Sequence, residues 1–324
     1  MVISAVEYIV IPGTNEKISR IGLGTWQFSE AWGVLDYEFA KQIVVKALES
    51  GINFFDTALV YGNGKSEEFL GKALKELGIR REEVFIATKI PGQFLDPHDV
   101  FKSVDRSLKR LGVEYVDLMQ LHWPPCWHNH PTCPYMRALE RLVELGKIRY
   151  LGVSNYPVAL IEEVRSCLSR TDIKFMQYRY NLIERQAEIE LIPYAEKNNM
   201  IFLPWSPLAK GALTGKYTLE NLPKFTDVRE SEPVFHPGNF KQIQPLVDEL
   251  LRLSKEYGKT PAQISLNWII SYSKNILPIP GAKKPEQVVD NAGSVGWRLE
   301  YEDWRTLDEI SKKIRISYAV GYLY

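Results

Sequence analysis

Residues 84–122 read VFIATKIPGQFLDPHDVFKSVDRSLKRLGVEYVDLMQLH. The apolar run VFIATK is followed by a segment, Val100 to Leu111, whose apolar positions recur at the helical period, and then by a second apolar run, VDLMQLH. Continuous apolar runs are typical of strands buried on both faces, and an intervening helix allows the two strands to run parallel. The stretch therefore predicts one strand–helix–strand unit of a parallel sheet.

The same unit recurs along the chain. Strand-like runs begin near Ile21, Asn53, Val84, Val116, Arg149, Lys174, Ile201 and Ile276. The first five starts are about 31 to 33 residues apart, which is close to the length of one such unit. Helical patterns lie between the runs, at residues 36–49, 66–77, 100–111, 136–145, 159–168 and 187–197.

Eight runs without a linker or a break in composition favour an α/β fold, a (β/α)8 TIM barrel, over a two-domain doubly wound sheet. We expect residues 1–324 to form this single domain. The segment EYIVIPGTNEKISRI (residues 7–21) predicts a β-hairpin that plugs the amino-terminal mouth of the barrel. Two helices after residue 239 and a further one after residue 302 extend the carboxyl-terminal part.

Composition excludes several classes of partner. The 40 Lys and Arg residues balance the 40 Asp and Glu residues, so no basic field is expected to recruit nucleic acid or an anionic membrane. No apolar run approaches the roughly 18 residues of a membrane span. Three cysteines cannot build a disulfide framework, which favours a reducing compartment. We therefore expect a cytoplasmic protein, with no prediction of its oligomeric state.

Polar residues follow three consecutive predicted strands. Asp56, Lys89 and His122 each close a strand, and Tyr61 follows Asp56 by five residues. In a barrel of this kind, catalytic groups lie where strands end. A lone ionisable group at the end of an apolar strand is costly, so Asp56 and Lys89 are expected to pair. The alternative is a purely structural ion pair with a surface Tyr and a satisfied core His.

An ammonium beside a phenol has a chemical use. A cation favours the phenolate, so Lys89 is expected to lower the pKa of Tyr61 from about 10 and make it a usable proton donor. His122 can donate a hydrogen bond that orients a carbonyl oxygen. Four such residues at neighbouring strand ends favour a functional site over the structural alternative.

These residues, with the motifs around them, resemble the aldo-keto reductases, a family of (β/α)8-barrel enzymes that reduce carbonyl compounds with NAD(P)H. The matching motifs run in the family's order along nearly the whole chain: GLGTW (22–26), GINFFDTALVYGNGKSEEFLGKAL (51–74), Lys89, LHW (121–123), GKIR (146–149), GVSN (152–155), Gln177, WSPL (205–208) and IPGAKKPEQVVDN (279–291).

The resemblance implies roles for individual residues. Asp56, Tyr61, Lys89 and His122 match the catalytic tetrad, with Tyr61 as the general acid. Ser154, Asn155 and Gln177 match the groups that hold the nicotinamide carboxamide, and Trp205 matches the aromatic ring that stacks on the nicotinamide. The full set of implied cofactor contacts is Gly24, Thr25, Trp26, Asp56, Ser154, Asn155, Gln177, Trp205, Ser206, Pro207, Leu208, Gly211, Lys216, Gly281, Lys283, Gln287, Asp290 and Asn291.

Two lysines favour NADP(H) over NAD(H). Lys283 and Lys284 lie just before a helix predicted to begin near Pro285, and a helix amino terminus with two cations suits a dianionic phosphate. The alternative is a solvated pair of lysines. The family often has Arg where this chain has Gln287, which leaves the strength of the preference open.

The segment CWHNHPTC (residues 126–133) has several interpretations. It offers four potential zinc ligands, at a spacing too tight for ordinary structural zinc sites, and a potential Cys126–Cys133 disulfide. We favour a loop that lines the substrate pocket, which would then comprise Trp26, Tyr61, His122, Trp123 and Trp127. No metal is required. Cys167, on a helix, is expected to pack in the core.

The predicted function is reversible reduction of an aldehyde or ketone to an alcohol with NADPH, on a small-molecule substrate. The alternative is a cofactor-sensing regulatory subunit that resembles the β subunits of voltage-gated potassium channels. A metal-dependent activity at residues 126–133 is a third possibility. The tail aromatics either cover the pocket rim or pack against the barrel or a partner subunit, and they are Tyr318, Tyr322 and Tyr324.

Overall fold

A short antiparallel hairpin precedes the main sheet. In the computed structural model, which describes residues 7–33, 36–125 and 129–318, strand β1 (Tyr8–Val10) pairs with β2 (Lys17–Ser19). Ile9, Ile11 and Ile18 of this hairpin pack against the side chains that fill the interior of the main sheet. The hairpin therefore covers the amino-terminal mouth of the barrel, as predicted.

The main sheet has seven strands, and each pairs in parallel with the strand that follows it in the sequence. Their residues are mostly buried because helices cover the outside and apolar side chains fill the inside. The strands are β3 (Leu23–Gly24), β4 (Phe54–Asp56), β5 (Phe85–Ile90), β6 (Val116–Leu121), β7 (Ile148–Ser154), β8 (Ile173–Arg179) and β9 (Ile201–Trp205).

Residues 276–281, the closing segment, complete the barrel between β9 and β3. On one side, the N–H groups of Leu277 and Ile279 donate to carbonyls of β9. On the other side, the carbonyls of Pro278 and Pro280 accept from Gly22 and Gly24. Proline has no N–H, so the pairing with β3 uses carbonyls of the closing segment alone. The run predicted from Ile276 thus occupies the eighth strand position without regular strand geometry.

Ten helices are present in the described residues, and those between consecutive barrel strands cover the outside of the sheet. They are α1 (Tyr37–Glu49), α2 (Lys65–Glu76), α3 (Pro97–Leu111), α4 (Thr132–Glu144), α5 (Val158–Ser166), α6 (Leu191–Lys197), α7 (Pro237–Tyr257), α8 (Pro261–Tyr272), α9 (Pro285–Ala292) and α10 (Tyr301–Ser311). No described helix combines the length and the apolar character needed to cross a bilayer.

Helix α3 shows how local sequence sets these boundaries. The Asp96 carboxylate accepts a hydrogen bond from the N–H of His98, and Pro97 occupies the first helical position, where its missing N–H costs nothing. Gly112 ends the helix at a φ of 66°, in the left-handed region that favours glycine. The helix begins three residues before the predicted Val100 because its amino-terminal turn is polar and lacks the apolar period.

Cys133, near the start of α4, forms a disulfide with Cys167, which follows α5. Cys167 is buried and belongs to the hydrophobic core, as expected, and its disulfide is a further feature that the sequence did not predict. The bond also excludes, for this structure, the Cys126–Cys133 pairing that the sequence left open. Spacing along the chain could not reveal it, because two neighbouring helices bring the cysteines together.

Candidate active site

Asp56 and Lys89 form a buried ion pair at the carboxyl ends of β4 and β5. Lys89 Nζ lies 2.6 Å from Asp56 Oδ2 and donates a second hydrogen bond, of 2.8 Å, to the Thr57 carbonyl. Burial by itself lowers the pKa of Lys89, but the Asp56 carboxylate and the Tyr61 hydroxyl outweigh it and raise that pKa above its ordinary value. The ammonium is therefore charged at neutral pH, as the sequence predicted.

Tyr61 lies in a 3₁₀ turn after β4, and its hydroxyl is 3.3 Å from Lys89 Nζ. Burial raises the pKa of Tyr61, the Lys89 ammonium lowers it, and the Asp56 carboxylate raises it, with a balance above the ordinary value. The expectation that Lys89 brings the pKa below 10 was therefore wrong in its net direction. The loss of water around the hydroxyl outweighs one neighbouring cation, so Tyr61 is a protonated phenol at neutral pH.

His122 follows β6 and faces Tyr61, with 5.8 Å between the ring centroids. Burial of the imidazole, together with the nearby Lys89 ammonium, holds the pKa of His122 well below its ordinary range. Its Nδ1 is buried and has no hydrogen-bond partner among the described residues. Because an unpaired buried N–H is rarer than an unpaired acceptor, the proton is best placed on Nε2.

Two buried glutamines hold the second carboxylate oxygen of Asp56. Gln177 Nε2 donates to Asp56 Oδ1 over 2.9 Å, and Gln120 Nε2 does so over 3.2 Å. Gln177 was predicted as a cofactor contact, and Gln120 was not predicted as a site residue. Gln120 lies two residues before His122 on β6, and this alternation along a strand is the signal that could have identified it.

Three predicted cofactor residues are joined by hydrogen bonds above the ion pair. Trp205 Nε1 donates to Asn155 Oδ1 over 3.1 Å, and Asn155 Nδ2 donates to both the His122 carbonyl and Ser154 Oγ. Asn155 has a φ of 61°, which asparagine tolerates better than most residues. The indole of Trp205 is thereby held in one orientation relative to His122.

A cavity of about 690 Å³ begins at Tyr61 and His122 and extends to the amino-terminal end of α9. Its lining includes almost every site residue predicted from the sequence: Gly24, Trp26, Asp56, Tyr61, His122, Trp123, Ser154, Asn155, Gln177, Trp205, Ser206, Pro207, Leu208, Gly211, Lys216, Gly281, Lys283, Gln287, Asp290 and Asn291. Lys89 is buried beneath it.

Besides Lys89, two predicted site residues do not appear in that lining. Thr25 is buried behind the cavity, where its hydroxyl donates to the Asp56 carbonyl over 3.0 Å and lies 2.7 Å from Ser66 Oγ. Its side chain thus supports the backbone of Asp56 from behind. Trp127 falls outside the described residues, so its place in a substrate pocket stays a prediction.

The cavity lining also contains residues that were not predicted as site residues. They are Gln27, Trp32, Lys210, Thr214, Tyr217, Arg229, Ala262, Ile279 and Pro280. Ile279 and Pro280 belong to the motif at residues 279–291 but were not named as contacts. Lys210 stands between two predicted residues, Leu208 and Gly211, and could have been included on that ground. Arg229 comes from a polar stretch that carries no local signal.

The backbone between Ser206 and Gly211 has an unusual shape. Ser206, Ala209, Lys210 and Gly211 all have positive φ, from 47° to 102°. Side-chain-bearing residues rarely adopt this conformation. The N–H groups of Ala209 and Gly211 donate within the loop, to the Ser206 and Leu208 carbonyls, each over 2.9 Å. The loop is therefore held in this shape by its own hydrogen bonds where it lines the cavity.

The cavity lining carries more positive than negative charge. Among its described residues are five cationic side chains (Lys210, Lys216, Arg229, Lys283 and Lys284) against the carboxylates of Asp56 and Asp290, and Lys283 and Lys284 lie at the amino-terminal end of α9. Lys283 Nζ lies 3.1 Å from Asp227 Oδ2, and the Lys283 N–H donates to Gln287 Oε1 over 2.7 Å. Hydrogen bonds from Arg229 hold the pKa of Asp227 well below its ordinary range. An elongated anion would fit this lining.

The segment CWHNHPTC lies partly outside the described residues. Cys126 and His128 lie outside the described residues, and Cys133 is held in a disulfide, so its sulfur is not available as a thiolate. Within the described ranges no group of three or more potential ligands has the geometry to hold a metal ion. Of the tail aromatics, Tyr318 places its hydroxyl 3.4 Å from Glu184 Oε1, while Tyr322 and Tyr324 are not described.

Comparison with known proteins agrees with this geometry. Residues 20–312 match the model of the aldo/keto reductase family. The chain is 35% identical to the aldo-keto reductase YhdN of Bacillus subtilis, over 97% of this chain and 96% of that protein. Its fold matches the structure of a glycerol dehydrogenase of Gluconobacter oxydans with a TM-score of 0.85 and 33% identity, over 97% of both chains.

Two further relatives differ in what they are named for. The NADH-specific methylglyoxal reductase of Escherichia coli is 30% identical, over 93% of this chain and 97% of its own. A probable voltage-gated potassium channel β subunit of Oryza sativa is 32% identical, over 85% of this chain and 87% of its own. The family match spans the barrel and every described residue of the cavity. This chain is an oxidoreductase that belongs to the aldo/keto reductase family.

Proposed function

We propose that the protein reversibly reduces an aldehyde or ketone to an alcohol with NADPH. The observation that carries this proposal is the position of Lys89 Nζ, 2.6 Å from Asp56 and 3.3 Å from the Tyr61 hydroxyl, at the closed end of a cavity whose other end is cationic. The Tyr61 end of the cavity can transfer a proton, and the cationic end can hold a polyanion.

The residues present fit a nicotinamide dinucleotide. The loop at residues 206–211 and Lys216 would hold the pyrophosphate, and Trp205, Asn155, Ser154 and Gln177 would hold the nicotinamide. The Trp205 indole is already fixed by its bond to Asn155. The bound dihydronicotinamide would supply a hydride equivalent to the carbonyl carbon of the substrate.

Tyr61 is proposed as the general acid. Its hydroxyl proton passes to the substrate oxygen as negative charge develops there, and the Lys89 ammonium stabilises the phenolate that remains. The Asp56 carboxylate and the Thr57 carbonyl hold Lys89 in that position. In the oxidative direction the same phenolate takes the proton back, so the site works as base or acid according to direction.

His122 is proposed to orient the carbonyl. A neutral imidazole with its proton on Nε2 can donate a hydrogen bond to the substrate oxygen without competing with Tyr61 as a proton source. The pKa of His122, well below its ordinary range, keeps the ring neutral at physiological pH. Trp26 and Trp123 line the cavity, with ring centroids 6.2 Å from Tyr61 and 4.5 Å from His122 respectively, and favour a bulky or aromatic carbonyl compound.

The preference for NADPH rests on the amino-terminal end of α9. Lys283 and Lys284 line the cavity directly before Pro285, where the helix N–H groups add partial positive charge. A 2′-phosphate placed there would share Lys283 with Asp227, which now accepts from its ammonium. This carboxylate moderates the preference without removing it, because Lys284 has no such acidic partner among the described residues.

The direct test is NADPH oxidation by the purified full chain with a reactive aromatic aldehyde such as 4-nitrobenzaldehyde. Turnover above about 0.1 s⁻¹ supports an enzyme, against a usual range of about 1–10³ s⁻¹. NADPH binding without turnover on a panel of aldehydes, ketones and alcohols would support the alternative of a cofactor-sensing subunit. The absence of any NADPH binding would contradict both.

A further inference from the structure

A second cation lies close to the candidate nicotinamide position. Arg179 ends β8 and Trp205 ends β9, and the two residues are partners in the parallel ladder. The guanidinium carbon of Arg179 lies 5.1 Å from the centroid of the Trp205 ring. Trp205 lines the cavity, whereas Arg179 is absent from the lining. One side of the indole is therefore available to a ligand while a positive charge contacts the same ring.

Two buried carboxylates fix the guanidinium in place. Arg179 Nε lies 2.9 Å from Glu184 Oε2, and Arg179 Nη2 lies 2.5 Å from Glu232 Oε1. Glu232 also pairs with Lys210, which closes a group of two cations and two carboxylates. Asn181 holds Glu184 through a hydrogen bond of 2.9 Å. The group is neutral as a whole, and Arg179, one of its two cations, is the member that contacts the Trp205 ring.

A charge in this position distinguishes between the two forms of a nicotinamide. The ring is neutral when reduced and carries one positive charge when oxidised. An indole face attracts cations, so Trp205 alone would favour the oxidised form. A guanidinium against the same indole polarises its π electrons towards itself and repels a second cation nearby. Its effect on the neutral form is much smaller.

We propose that Arg179 is a positioning residue that biases the cofactor site towards the reduced nicotinamide. The inference rests on the proposed function, because it requires Trp205 to contact the nicotinamide ring. It predicts that the site binds NADPH more tightly, relative to NADP⁺, than a site with Trp205 and no neighbouring guanidinium would. A site with this bias is suited to reduction of a carbonyl compound more than to oxidation of an alcohol.

The test compares the dissociation constants of NADPH and NADP⁺ in the full chain, by calorimetry at one pH and ionic strength. The two nucleotides share the adenosine, the 2′-phosphate and the pyrophosphate, so the ratio Kd(NADP⁺)/Kd(NADPH) isolates the nicotinamide. Arg179→Met keeps a long apolar side chain against Trp205 and removes the charge. We expect it to lower the ratio about three- to tenfold, and Arg179→Lys to lower it less.

Two further variants complete the test: a matched control, and a variant that should change the ratio in the opposite direction. Arg81 also places its guanidinium over an aromatic ring, 4.1 Å from the Tyr115 centroid, but it precedes β5 at the other end of the barrel. Arg81→Met should therefore leave the ratio of dissociation constants unchanged. Glu184→Gln removes a carboxylate that balances Arg179, and should raise the ratio. If Arg179→Met does not fold, this variant carries the test, and an unchanged or lower ratio contradicts the proposal.

Each possible result for the two dissociation constants supports or contradicts the proposal. A ratio within twofold of wild type in Arg179→Met contradicts the proposal, and so does an equal rise of both dissociation constants, which would mean that Arg179 only maintains shape. If the wild-type chain binds neither nucleotide, the proposed function fails and this inference with it. If it binds both and the ratio shifts as expected, the inference holds even where no carbonyl substrate is turned over.

Discussion

Lys89 and Asp56 lie on adjacent strands with 2.6 Å between Nζ and Oδ2, and both side chains are buried. Among the described residues, Lys89→Met would leave the buried Asp56 carboxylate with two glutamine amides as its side-chain partners. We expect the free energy of unfolding to fall by about 3–5 kcal/mol, because an uncompensated buried charge is costly. Denaturant unfolding measures it. The double variant Lys89→Met/Asp56→Asn, which removes both charges, should recover part of the loss, and no recovery would contradict this explanation.

Tyr61→Phe removes one hydroxyl and retains the ring. If Tyr61 is the general acid, the turnover number for carbonyl reduction should fall by at least about 10²–10⁴-fold, while the Kd for NADPH stays within about twofold. Steady-state kinetics and fluorescence titration provide the two readouts. Tyr37→Phe is a suitable control, since Tyr37 begins α1 and is absent from the cavity lining. Near-normal turnover in Tyr61→Phe would remove Tyr61 from the proposed role.

The pH profile of reduction follows from the direction of the Tyr61 pKa. A general acid must be protonated, and burial raises the pKa of Tyr61 above its ordinary value even beside Lys89. The value of kcat/KM should therefore stay level through neutral pH and fall only above about pH 10. Alcohol oxidation, which needs the phenolate, should rise over the same range. A fall in reduction that begins near neutrality would contradict a pKa of Tyr61 above its ordinary value.

The pKa of His122 determines what is expected of kcat/KM on the acidic side of the same pH profile. Its pKa is well below the ordinary range, so its protonation should produce no change in kcat/KM near about pH 6.5. Carbonyl reduction measured between pH 5.5 and 8 tests this directly, with chain integrity followed by circular dichroism. A step near pH 6.5 that disappears in His122→Asn would show that the imidazole is more hydrated than the structure indicates.

Lys283 should discriminate between the two nicotinamide cofactors. Lys283→Met removes one charge-assisted contact to a 2′-phosphate, worth about 1.5–3 kcal/mol, so the Kd for NADPH should rise by about 10- to 100-fold. The Kd for NADH, which lacks that phosphate, should change little. Asp227→Asn is the counterpart, because it releases Lys283 from its carboxylate partner and should tighten NADPH alone. Equal effects on both nucleotides would exclude a 2′-phosphate contact at Lys283.

The Cys133–Cys167 disulfide should contribute to stability, since it joins residues 34 positions apart. Reduction is expected to lower the free energy of unfolding by about 2–4 kcal/mol. Denaturant unfolding with and without dithiothreitol measures the difference, and thiol titration of the denatured, unreduced chain should find one free thiol of three. Cys126→Ser should retain the reductant effect and have no free thiol. A chain with three free thiols would contradict the bond.

Much of the fold and the catalytic group could be predicted from the sequence because both depend on local pattern. Apolar runs at regular intervals predict parallel strands, and polar residues that close those runs must meet at one end of the barrel. Asp56, Tyr61, Lys89 and His122 were grouped on this reasoning and lie together in the structure. The residue types at these strand ends therefore determined which groups could meet.

Tertiary structure decided the properties that depend on burial and on contacts between distant segments. The sign of the Tyr61 pKa shift follows from how much water is excluded, which spacing does not encode. Arg179 meets Glu232, and Cys133 meets Cys167, only because separate loops and helices converge. The sequence showed that Lys283 is charged, but it did not show that Asp227 forms an ion pair with it. Sequence pattern thus determined the architecture and the reacting groups, while packing determined their electrostatic environment, since the energy of a charge depends on everything around it.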